Sequence, residues 1–112
     1  VGTARVNLAA AGYGGDKAIF AYGYAGGSVS MSNLVSNTGV VASDVSGVGT
    51  ARYAIAAATY GGDKGAFAYG RIGGTKYSTK NLVSNSGVVA ADVTGVGTAR
   101  SDLAAAGYSI SA

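Results

Sequence analysis

The residues of this chain that are able to do chemistry come in matched sets. Arg5, Arg52 and Arg100 each close the phrase VGTAR, while Asp44 and Asp92 sit in VASDV and VAADV. Asp16 with Lys17, and Asp63 with Lys64, each complete GGDK, and Asn33 and Asn81 each open NLVSN. A pair of carboxylates is the raw material of glycoside hydrolysis, and a guanidinium that of anion recognition. Recurrence at the same place in each unit points elsewhere. It marks Arg5, Arg52, Arg100, Asp44 and Asp92 as structural repeat residues, with Arg paired to Asp between strands or blades and Asp holding backbone N–H groups in turns.

The residue types that are missing narrow the chemistry further. The chain has no Cys, His, Trp, Pro, Glu or Gln. Zinc sites built on Cys or His, disulfides and nucleophile–histidine pairs are therefore excluded within it, and the expectation is a non-enzymatic protein without cofactor or metal. GYGGDK suggests a phosphate loop, but no helix is expected after it and the P-loop spacing is not met. A net charge of +3 is a solubility feature rather than a nucleic-acid footprint. No apolar run approaches the roughly 20 residues of a membrane span, so neither nucleic acid nor membrane insertion is expected. The lack of Cys is compatible with an extracellular or virion-associated location.

One stretch breaks the regularity. YAGGSVSMS in the first unit becomes RIGGTKYSTK in the second, with one extra residue. Divergence within a duplicated scaffold is where a specific function would be written. Tyr24, Arg71, Lys76, Tyr77 and Lys80 gather there with no acid among them, which makes this loop the candidate site for an anionic glycan or surface polymer.

The elements that must position these residues follow from the repetition. Units 1–47 and 48–95 are identical at about two-thirds of aligned positions, and 96–112 begins a third. Each full unit divides into four segments of strand length separated by Gly, Asn or Asp. In GGDK, Gly14 and Gly15, like Gly61 and Gly62, supply the positive φ angles of a two-residue hairpin. In AIFAYG both faces of the strand are apolar, as in a sheet covered on two sides, and the Ala runs allow sheets to approach closely. Twenty Gly and few aromatics argue against helix packing.

Four antiparallel strands in 47 or 48 residues match a β-propeller blade. The order of Arg, a small-apolar strand (Ala56 to Ala58), a Gly turn, an aromatic strand ending in Gly (Phe67 to Gly70), and the longer NLVSNTGVV resembles the kelch repeat. The chain also resembles repeat segments of phage tail fibres and other extracellular repeat proteins. The kelch resemblance implies that the variable loop lies on a ligand-presenting face. The fold expected is thus all-β, a propeller-like array of four-stranded blades, incomplete in one chain and completed by oligomerisation.

Two blades do not close a ring, since propellers need about four or more. Copies joined head to tail would form a ring, with three copies supplying six repeats and residues 96–112 of each serving as a strand-exchange or closure element, or an open filament; a longer array is the alternative. The function expected is a structural, self-assembling repeat protein. A lectin-like module, with Tyr stacking on a sugar and Asn bonding its hydroxyls, is the second reading.

Overall fold

A computed structural model describes residues 2–108. Among them the chain is all β-structure and turns, with no helix. Strands β1 (Ala9–Tyr13), β2 (Lys17–Ala21) and β3 (Ser32–Val35) form one antiparallel sheet in that order. The second unit repeats it with β4 (Ala56–Tyr60), β5 (Lys64–Ala68) and β8 (Lys80–Val83). Between β5 and β8 a small hairpin, β6 (Arg71–Ile72) and β7 (Thr75–Lys76), occupies the variable loop.

Registers match between the sheets: Ala9 faces Ala21 and Tyr13 faces Lys17 in the first, Ala56 faces Ala68 and Tyr60 faces Lys64 in the second. The turns are three residues long rather than two, because Tyr13 pairs with Lys17 and Tyr60 with Lys64. Gly14 and Gly15 have φ of 63° and 85°, and Gly61 and Gly62 have 63° and 82°, values that Gly takes without steric cost.

The fourth segment of each unit does not make a fourth strand. Val41 bridges Val35 and Val45 bridges Ser32, so Ser43 and Asp44 together oppose Asn33. The same interruption sets Ala91 and Asp92 opposite Asn81. This is a β-bulge, which swings a side chain out of the sheet's alternation. The side chain it redirects is the Asp. No closed propeller exists among the described residues, and nothing in these three-stranded sheets singles out a kelch repeat.

The two larger sheets pack face to face. Tyr13, Ile19, Ala21 and Tyr22 of the first unit join Ile55, Phe67 and Val83 of the second in one core. The ring of Phe67 meets that of Tyr22 edge-on, with centroids 5.3 Å apart. Burying side chains of this size stabilises by about 1.5–3 kcal/mol each.

Backbone approach is close where first strands stack. The Gly12 N–H donates to Thr59 Oγ1 at 3.1 Å, and that hydroxyl donates back to the Gly12 carbonyl at 2.9 Å. A backbone column runs beside them: the Ala54 N–H donates to the Asn7 carbonyl and the Asp102 N–H to the Ala54 carbonyl, both at 2.9 Å. Asn7, Ala54 and Asp102 all take left-handed φ, at 56°, 55° and 57°. That conformation is costly outside Gly and, less so, Asn or Asp, so Ala54 holds it only because both of its peptide groups are tied to neighbouring units.

Gly49, at φ 81°, lies against the bulge of its own unit, and a Cβ there would strike Asn81 Nδ2 and Asp92 Oδ1. Gly49→Ala combines left-handed strain with the breaking of a polar cluster, so it should lower unfolding free energy by about 2 kcal/mol or more. Urea titration followed by far-ultraviolet circular dichroism measures this. An unchanged midpoint would refute it.

Candidate functional site

Each bulge builds a latch that closes its unit. Asp44 Oδ1 accepts from the Thr3 N–H at 3.1 Å and from Asn33 Nδ2 at 2.9 Å, while Oδ2 accepts from the Thr3 hydroxyl at 2.6 Å. In the second unit Asp92 binds Thr50 and Asn81 in the same way, with the Thr50 hydroxyl at 2.5 Å. The Thr of VGTAR is thereby clamped to the end of its own repeat. Hydrogen bonds from the Thr3 hydroxyl, then from Asn33 and the Thr3 N–H, bring the Asp44 carboxyl down to about 2. At Asp92 burial pushes the carboxyl up, but bonds from Thr50 and Asn81 outweigh it and the net direction is down.

The arginines do not pair with these carboxylates. Arg52 is fully buried, and its planar fork donates to the carbonyls of Tyr69 (2.6 Å), Thr50 (2.9 Å) and Thr79 (3.2 Å) and to Asn81 Oδ1 (2.8 Å). It also lies 4.9 Å above the ring of Tyr22. The expected Arg–Asp pairing therefore fails: a guanidinium offers five donors in a plane, and the carbonyls around a left-handed Tyr use them more fully than one carboxylate would. Burial pushes the Tyr22 phenol up to about 12, against the pull of Arg52, and its hydroxyl donates to the Val48 carbonyl. Arg5 repeats part of this, donating to Tyr22 and Thr3 carbonyls. Arg100 stacks 4.0 Å from the Tyr69 ring.

The candidate ligand loop divides in two. Tyr24 packs edge-on against Tyr53 at 5.2 Å, and Arg71 lies 5.0 Å from the Tyr53 ring. Lys76 faces Arg71 across the β6–β7 pair and is exposed. The Tyr77 N–H donates to the Gly70 carbonyl, and the Tyr77 carbonyl accepts from the Arg100 N–H. Lys80 belongs elsewhere, on the outer face of the second sheet. The loop is not acid-free in space, because Asp102 of the third unit brings its carboxylate to 3.9 Å from Arg71 Nε. Among the described residues no cluster has the makings of a metal site.

The feature missed from sequence is a sheet face. Ala58, Tyr60, Ala66 and Leu82, with Lys80 at the rim, line an open groove of about 650 Å³ that runs up to Ala106–Tyr108. Tyr60 is 39% exposed, whereas Tyr13, its counterpart, is 4% exposed beneath the second unit. On the opposite side of the molecule Phe20 is 39% exposed, whereas its counterpart Phe67 is fully buried. The signal was available as the alternation of apolar residues on both faces of each strand.

The sequence matches no protein-family model and no curated protein. The chemistry of the site must therefore be read from its own residues.

Arg52→Ala removes the guanidinium donors from the Tyr69 and Thr50 carbonyls and from Asn81 Oδ1, and leaves the Thr79 carbonyl with the Tyr69 N–H alone, so it should cost about 3 kcal/mol or more, while Arg100→Ala at the exposed equivalent should cost less than about 1 kcal/mol. Parallel denaturation curves test the contrast, and equal losses would refute it. The latches also set an acid limit. Because both carboxyls are held below the ordinary value of 3.8 when folded, their stabilisation is complete above that pH and is lost as the pH falls below it, at Asp44 through about 2. The melting temperature should drop across this window, and the drop should shrink in Asp44→Asn/Asp92→Asn. An unchanged acid profile in that variant would remove the latches from the account.

Proposed function

We propose that this protein is a structural, self-associating repeat protein that acts by stacking its units into a ring or filament outside the cell or on a virion. One observation carries the reading. The outer face of the second sheet has the same sidedness as the face by which the first sheet binds the second, and beyond Ala106–Tyr108 it is open among the described residues. Repeat proteins derive their stability from such neighbour interfaces, and a unit with one interface unfilled has free energy still to gain by association.

The recurrent polar residues support the same reading. Thr3, Asp44, Asn33 and Arg52 spend their hydrogen-bonding capacity within the fold, on latches and carbonyls. The carbohydrate-binding alternative has less support, since Tyr53 is engaged edge-on by Tyr24 and by the guanidinium of Arg71.

Native mass spectrometry and sedimentation velocity over a dilution series test this directly. The expected result is an oligomer or filament that dissociates on dilution. A folded monomer at every concentration up to about 100 μM would overturn the reading, since a head-to-tail contact that builds rings or filaments must form in that range.

A further inference from the structure

The hexapeptide Leu8–Tyr13, LAAAGY, recurs without change as Leu103–Tyr108, each time eight residues into a unit that opens with VGTAR. The first copy contains β1 and pairs along its length with β2. The second copy pairs with nothing: among the described residues Leu103–Tyr108 has no strand partner and Tyr108 is 91% exposed.

The unpaired segment nonetheless lies where the first strand of a next sheet belongs. The Asp102 N–H is bonded to Ala54, as Ala54 is bonded to Asn7. A Cβ on Gly107 would fall 2.6 Å from the Thr59 carbonyl, just as Gly12 lies against Thr59 on the other side. The Tyr69 hydroxyl donates to the Val96 carbonyl, as that of Tyr22 does to Val48. Thr98 and Arg100 have no carboxylate latch beside them among the described residues.

From this placement we propose that Val96–Tyr108 is a donor segment that replaces the opening thirteen residues of a second copy of this chain, pairing with that copy's β2. This rests on the stacking reading above and names its occupant. Ala104, Ala105 and Ala106 would face the second copy's Ala21, Phe20 and Ile19, the register that Ala9, Ala10 and Ala11 hold within one chain. Thr98 would take the place of Thr3 against the second copy's Asp44. Because donor and displaced segment carry the same VGTAR and LAAAGY, the exchange itself is nearly neutral. Its driving force is the groove.

That groove is filled by contacts already seen once inside the chain. The second copy's Phe20 would meet Tyr69 as Phe67 meets Tyr22. Its Gly39, which has open space around it, would meet Tyr60 as Gly87 meets Tyr13, where a Cβ would lie 2.9 Å from the ring. Lys80 is the single charged residue in the groove lining and stands where the first sheet buries Ser32. Its long stem lets the ammonium leave at the rim, at some cost to the contact.

The test uses Tyr108→Ala, which alters a residue exposed in the single chain but buried in Tyr13's position after exchange. It should weaken association at least tenfold and leave the circular dichroism spectrum unchanged, in line with the loss expected on truncating a buried aromatic. Lys80→Ser should strengthen association. In this Cys-free chain, Ala104→Cys/Ala21→Cys, which keeps Phe20 in place, should yield disulfide-linked oligomers on oxidation. If the protein associates but Tyr108→Ala has no effect and no link forms, the exchange is overturned while self-assembly stands. A monomeric wild type would overturn both.

Discussion

A peptide N–H of Ala54 donates to the carbonyl of Asn7, and one repeat later Asp102 does the same to Ala54. These two bonds hold successive units at one spacing. They require small residues where first strands meet, which is why the strands read LAAAGY and IAAATY. Larger side chains would force the backbones apart and break the bonds between Gly12 and Thr59 that share the same gap. Aromatic bulk is moved one strand over, where Tyr22 and Phe67 fill the space that the Ala runs leave.

Around that contact the polar residues divide the work. The bulge turns Asp44 and Asp92 out of the sheet and onto the Thr of VGTAR, so each unit is closed by its own ends. Arg52 faces the other way, toward the preceding unit, and ties Tyr22 to carbonyls of its own. One set of groups defines a unit and the other joins units. The phrase VGTAR carries the Thr for one task and the Arg for the other, and in the second copy both tasks are seen together.

Much of this was legible from residue order alone. The β-structure, the antiparallel pairing of small-apolar with aromatic strands and the positive φ of the GGDK glycines follow from composition and spacing. The bulge was not legible, because VVASDV has strand-like composition and only the bond from Thr3 shows that Asp44 has left the alternation. Nor was the choice of partner for Arg52, which depends on carbonyls exposed by the left-handed Tyr69. Within the candidate loop, Tyr24 and Arg71 do converge, but through Tyr53, which belongs to the unit after that of Tyr24; Asp102 of the third unit reaches Arg71 only because units stack.

The column through Asn7, Ala54 and Asp102 has one more property. The Ala54 N–H points back toward the earlier unit and its carbonyl toward the later one, and the bond from Asp102 repeats that sense, so the column has a direction. The two ends of a stack are then chemically different: among the described residues one ends on the Asp102 carbonyl, the other on the Asn7 N–H. Units can join such a column in only one orientation, and any assembly built on it is directional, with a sign as well as a length.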